Sequence, residues 1–329
     1  MSFRNHYTLP VCYTLSACML FLSACIKDEQ AVPRHESGNV KVASVDLGYD
    51  YRYQVFYDLT KDTIVSQNVK TDWDLGFECS AEGYRVILNG SKAMFACEKS
   101  GQDMASVTDT NGFFANRRCD APSGMPDSTA IGNWVKDKPV YIIDKGFGLN
   151  GLHLGYFKIR FLNVDEKEYT IQYADLSGNN EVNMTVPKDS SYNFSFISVA
   201  NGGKQVQVEP KKNAWDICFT QYLHVFHDPF TPYLVTGCLL NRTNTTGAAD
   251  SVLTFENIQF ETLKDLKFQE RINIIGYNWK AYANGAYTTR SELNYVVRDK
   301  NGVYFKLHFI DFYSLSGQKG SPKWEFQRL

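Results

Sequence analysis

The 329-residue chain sets 34 Lys and Arg against 36 Asp and Glu, a net charge of −2, and is 43% hydrophobic and 14% aromatic. A near-neutral balance without a basic stripe excludes nucleic acid as a natural partner, and 20 Tyr with 22 Phe suit strands. There is no nucleophile elbow, zinc-protease, P-loop or dinucleotide fingerprint, and the acid pairs Asp28-Glu29 and Asp165-Glu166 read as tether and turn, so no catalysis is expected.

The chain begins with a mildly basic stretch and then runs mostly apolar, without an acid, from Leu9 to Ala24. That run is short for a membrane span and reads as a secretory segment. Its end, Leu22-Ser23-Ala24-Cys25, resembles the lipobox of bacterial lipoproteins. The resemblance implies cleavage before Cys25 and acylation of its thiol, with residues 1–24 a signal peptide and 25–38 a lipidated tether. A chance Cys behind an ordinary signal peptide is the competing reading. Two or three acyl chains, at about 0.8 kcal/mol per buried CH₂, would hold the protein stably to a membrane. Ile26 is not the Asp that marks inner-membrane retention in many lipoproteins. Lys27-Asp28-Glu29 resembles the Lys-acid-acid signal for the outer face of the outer membrane. The expected location is therefore the outer membrane, lipid-anchored and exposed at the cell surface.

Strand patterns dominate the chain beyond the tether. "YRYQVFYDL" (51–59), "YRVILNG" (84–90) and "FKIRF" (157–161) alternate with period two, as a strand with one inward face does. The nearest approach to a helical stripe, 254–272, is irregular. Four segments recur in order. "TDWDLGF" (71–77) matches "NAWDICF" (213–219), with Trp73 and Trp215 separated by 215 − 73 = 142 positions. "YRYQVF" (51–56) aligns with "YNFSFI" (192–197), "AIGNWVK" (130–136) with "IIGYNWK" (274–280), and "YFKIRF" (156–161) with "YFKLHF" (304–309). This order predicts a tandem duplication, with one all-β domain over 39–176 and a second over 180–329, each large enough for its own core. A sandwich or bent open antiparallel sheet is the expected architecture. Trp73 and Trp215 read as core anchors, with Asp74 and Asp216 bonding nearby backbone.

Beyond Cys25, five cysteines remain: Cys79, Cys97, Cys119, Cys218 and Cys238. Five is odd, so complete pairing within one chain is impossible. Cys218 and Cys238 flank "HDPF" and would lie nearly opposite in a hairpin centred there. A 218–238 disulfide and two buried small hydrophobes both stay open.

Several of these segments carry a family resemblance. "TVPKDSSYNFSF" (185–196), "NAWDICF" and the closing "YVVRDKNGVYFKLHFIDFYSLSGQKGSPKWEFQRL" (295–329) resemble the HmuY family of haem-binding surface lipoproteins, and "WDLGF", "YRVILNGS" and "DMASVTD" (103–109) extend the likeness to the first half. The resemblance implies an all-β, hand-like fold that takes haem from host haemoproteins and passes it to a TonB-dependent outer-membrane receptor. The chain departs from the family where an axial His follows a Trp. In the matching run, "WKAYANG" (279–285), that position is Asn284, and the stretch after Trp134 also lacks a His.

Iron in such sites takes His, Met, Tyr or Cys. His224 and His227 lie in an insertion, since Trp73 to Asn89 spans 16 residues and Trp215 to Asn241 spans 26. Phe226, Phe230 and Tyr233 surround them, as would suit a flat apolar ligand, although their odd spacing puts them on opposite faces of a regular strand. Tyr282 and Met125 are further candidate ligands, while His153 and His308 read as solvent-facing or structural. Two functions from different classes are implied. One is haem capture through ligands unlike the family's. The other is a surface binding or adhesion module, for a glycan or protein, that kept the fold and lost the haem ligands.

Overall fold

A computed structural model describes residues 37–243 and 245–329. Cys25, the signal peptide and most of the tether lie outside the described residues. The described residues belong to one compact unit. Among them no helix is long and apolar enough to cross a membrane.

The first half supplies β1 (Lys41–Ser44), β2 (Tyr53–Asp58), β3 (Thr63–Val69), β4 (Leu75–Glu78), β5 (Val86–Leu88), β6 (Phe95–Lys99), β7 (Val140–Asp144), β8 (Tyr156–Val164) and β9 (Glu168–Ala174). The second supplies β10 (Val182–Pro187), β11 (Phe194–Ser198), β12 (Lys204–Val206), β13 (Ile217–His227), β14 (Phe230–Leu240), β15 (Thr246–Asp250), β16 (Lys280–Ala283), β17 (Ala286–Thr289), β18 (Asn294–Arg298), β19 (Tyr304–Tyr313) and β20 (Lys319–Arg328). The fold is all-β and antiparallel, as expected. The segment 254–272 forms no α-helix, only a 3₁₀ turn at Phe260–Asp265.

Strand order obeys the same rule in both halves. Two five-stranded sheets run β1-β20-β19-β18-β15 and β10-β9-β8-β7-β6, and two four-stranded sheets run β14-β13-β2-β3 and β12-β11-β4-β5. In each pair of sheets the halves trade strands. β1 pairs with β20 and β2 with β13, while β10 pairs with β9 and β11 with β4. The expectation of one core per half is therefore corrected. One core joins Val45, Val55 and Tyr57 to residues from Ile217 to Phe326. Another joins residues from Leu75 to Tyr173 to Val186 and Ile197. The join expected at 176–180 falls between β9 and β10, which pair with each other, so it divides nothing.

A third core lies between these two, built on matched pairs. Trp73 meets Phe196 edge-on at 4.8 Å and Trp215 meets Phe56 at 4.9 Å. The Asp after each Trp binds backbone: Asp74 Oδ2 accepts from Val199 N at 2.8 Å and Asp216 Oδ2 from Leu59 N at 2.8 Å. Each Asp also faces a lysine, Lys92 and Lys300 respectively. The matched lysines of "YFKIRF" and "YFKLHF" are both buried. Lys158 Nζ donates to Val107 O and Leu176 O, and Lys306 Nζ to Phe255 O and Ile258 O, so each pins crossing loops over a sheet. β2 departs from the one-face reading, because it lies between β3 and β13 and every residue from Gln54 to Asp58 is buried.

The hairpin centred on Asp228-Pro229 forms, but its register separates the two cysteines. Cys218 lies opposite Leu239 and Cys238 opposite Phe219. A one-residue offset sends side chains to opposite faces of the sheet. Cys218 enters the central core and Cys238 the core shared by β2 and β19, and both thiols are free. The 218–238 disulfide is thereby corrected.

Candidate ligand cleft

Two connections are longer in the second half than in the first. The ten extra residues between Trp215 and Asn241 lengthen β13 and β14 into an arm. After Trp134 the chain reaches β7 in 140 − 134 = 6 positions, whereas after Trp279 it reaches β18 only after 294 − 279 = 15. The difference holds the small hairpin β16–β17. Trp134 and Trp279 are both fully buried, so each half anchors this connection alike and only the second extends it.

The two additions face one cleft of about 860 Å³. Phe226 and Tyr233 come from the arm, Lys280, Tyr282 and Tyr287 from β16–β17, and Tyr51, Tyr313 and Lys319 from the body beneath. The volume is that of a small-molecule site. Gly237 helps to seat the smaller hairpin. Cys238 N donates to Gly276 O and Gly276 N to Cys238 O, both at 2.9 Å, and a Cβ on Gly237 would lie 2.3 Å from Gly276 O. The hairpin closes on Asn284-Gly285, both at positive φ (53° and 82°), between the paired Ala283 and Ala286. That is the two-residue turn Asn-Gly favours, so Asn284 serves backbone geometry where the family resemblance places a ligand.

The lining is aromatic and cationic. Tyr282 and Tyr287 are cross-strand partners with rings 4.8 Å apart, and Tyr313 Oη accepts from Tyr287 N at 2.7 Å. Burial raises the phenols of Tyr51, Tyr277 and Tyr287 above their ordinary range. Lys280 has its ammonium 4.2 Å from the Trp279 ring centre and 4.8 Å from that of Phe312. Its hydrogen-bond acceptor is Thr236 O, and burial pushes its pKa down to about 7. Lys319 lies over the Tyr51 ring at 5.2 Å.

Of the expected ligands, only Tyr282 lines this cleft. His224 packs edge-on against Phe226 at 4.8 Å and Tyr277 at 5.1 Å, facing a neighbouring cavity of about 380 Å³. Its Nδ1 is buried without a partner, and burial, followed by the nearby His227, lowers its pKa. His227 sits at the tip of the arm opposite Phe230. Met125 is exposed and lines a separate hollow of about 220 Å³ with Arg85 and Arg242. The structure thus does not unite His224, His227 and Met125. His153 bonds Asp144, and His308 stacks near Phe255 and faces Glu325. Tyr51, Tyr277, Tyr287, Tyr313, Lys280 and Lys319 are not singled out by sequence reasoning. The Tyr-rich run "GYNWKAYANGAYTT" (276–289) carries a signal for some of them, but Tyr51 and Lys319 lie far away in sequence. A smaller cavity of about 140 Å³ among Trp73, Trp215 and their Phe partners is too small for a drug-sized ligand.

A family model described as HmuY protein matches residues 50–326. Among solved structures, the chain resembles an apo HmuY analog from Tannerella forsythia at 10% identity and a TM-score of 0.32, covering 89% of this chain and 97% of that one. Apo PinO from Porphyromonas gingivitis matches at 11% identity and 0.32, covering 88% and 97%. A protein from Bacteroides vulgatus described as HmuY-like and heme-binding matches at 14% and 0.22, covering 52% and 90%. No curated protein sequence matches. Ligand chemistry therefore has to be read from this chain's own residues.

Proposed function

Since the chain belongs to the HmuY protein family, whose model spans residues 50–326, we propose that it binds haem in the cleft between the β13–β14 arm and the β16–β17 hairpin. The observation that carries this reading is that two stretches longer in the second half than in the first, the arm and the small hairpin, meet at this cleft. Neither stretch is needed to complete a sheet, since the matching sheets β10-β9-β8-β7-β6 and β12-β11-β4-β5 form without them. A planar tetrapyrrole is the cargo that suits a cleft of this size walled by Tyr and Phe rings. Among the described residues no His, Met or Cys lines it, so the donors offered to iron are phenol oxygens, with Tyr282 and Tyr287 on the rim. Phenolate favours ferric over ferrous iron, and a bound ferric ion would offset the burial that raises the Tyr287 phenol.

The wider role in this reading is a lipoprotein, anchored through Cys25 at the outer-membrane surface, that takes haem from host haemoproteins and yields it to a TonB-dependent receptor. It is a carrier and performs no catalysis.

A haem titration followed by absorbance in both oxidation states tests the proposal. The expected result is a saturable Soret band with one ferric haem per chain, weaker binding after reduction, and at least a tenfold loss in Tyr282→Phe with Tyr287→Phe. His224→Ala with His227→Ala is expected to bind as the parent does. A spectrum that only sums free haem and protein would refute haem binding and favour the glycan- or protein-binding module.

A further inference from the structure

Lys280 is an ammonium with too few partners. It has three N–H donors, and its one hydrogen-bond acceptor is Thr236 O. Aromatic rings of Trp279, Phe312 and Tyr287 flank it, and among the described residues no carboxylate pairs with it. Lys280 is half-buried, and an unpaired charge withdrawn from water is costly, so proteins normally pair it. Lys319 stands on the same cleft, over Tyr51, also without an acid partner among the described residues. No described Asp or Glu lines this cleft, in a chain that has slightly more acids than bases. A ligand carboxylate would supply the acceptors and charge that the cleft's own side chains lack, and would favour the ammonium form of Lys280.

Resting on the reading of the cleft as a tetrapyrrole site, we propose that Lys280 and Lys319 anchor the ligand's free carboxylates, so that the cleft selects planar tetrapyrroles bearing acid side chains over their esters. The aromatic walls grip the flat face and tolerate many macrocycles. The two ammonium groups read the edge, because a carboxylate offers acceptors and charge that an ester lacks. Orientation is set as a result: the acid edge points toward Lys280 and Lys319, and the apolar edge toward Phe226 and the arm.

The test needs no iron. Metal-free protoporphyrin IX and its dimethyl ester are titrated into the chain, reading quenching of protein fluorescence. The diacid is expected to bind at least tenfold more tightly than the diester. Lys280→Met and Lys319→Ala should each weaken the diacid by about threefold or more and leave the diester unchanged. Lys319 is exposed, so its variant keeps the test valid if Lys280→Met folds poorly. Equal binding of diacid and diester by the parent would overturn the anchors and leave the tetrapyrrole cleft standing. Binding of neither would overturn both.

Discussion

Asn89 and Asn241 occupy matched places, and their removal tests whether the interlocked halves are held alike. Asn89 Nδ2 donates to Lys70 O at 2.7 Å and Trp73 O at 2.8 Å, and its Oδ1 accepts from Ser91 N at 2.9 Å. Asn241 Nδ2 donates to Lys212 O at 2.7 Å and Trp215 O at 2.9 Å, and its Oδ1 accepts from Thr243 N at 3.1 Å and Asn193 Nδ2 at 3.0 Å. Both are fully buried. Each side chain thus ties the turn before a Trp to the strand beyond it. Three or four hydrogen bonds at about 1 kcal/mol each, with the orphaned carbonyls adding to the loss, put Asn89→Ala and Asn241→Ala at about 3–4 kcal/mol apiece. Urea unfolding followed by Trp fluorescence measures this as a lower midpoint at unchanged slope. The double variant would lose about 6–8 kcal/mol, a large part of the 5–15 kcal/mol typical of a folded domain, and should be substantially unfolded in mild urea. A loss below about 1 kcal/mol in either single variant would refute the reasoning.

Replacing residues 280–289 by a five-residue turn like that after Trp134 should keep the four larger sheets and cost only about 1–2 kcal/mol, chiefly the Tyr287–Phe312 ring contact at 5.0 Å, while haem affinity falls at least a hundredfold. Circular dichroism and the Soret titration together check both halves of that expectation. Glu209 is buried and burial lifts its carboxyl from 4.5 to about 7. A raised folded pKa means stability fully present below about pH 4.5 and lost as pH rises through 7, here by at most ~3 kcal/mol. Glu209→Gln should flatten that slope in urea midpoints taken from pH 4.5 to 8, and an unchanged slope would assign the effect to other groups.

Much of the local structure is legible in the sequence because it depends on neighbours along the chain. Alternation in "FKIRF" and "YFKLHF" marks β8 and β19, and "HDPF" marks the turn of a real hairpin. The internal matches, the extra length after Trp215 and the poor ligand at Asn284 are visible too, and Tyr282 does line the cleft. Pairing is not legible. Alternation says that a strand has two faces, but not which strand lies beside it. Chain order alone therefore assigns β1 and β10 to their own halves, whereas each crosses to the other half's sheet. A register offset of one residue, invisible in spacing, parts Cys218 from Cys238. The cleft needs tertiary structure most of all. Tyr51, Tyr233, Lys280 and Lys319 are far apart in sequence, and only the exchange of strands between halves brings β2's approach, the arm and β20 to one place. Long-range contacts of that kind are set by the burial of whole faces, a property of the assembled sheets and not of any one segment.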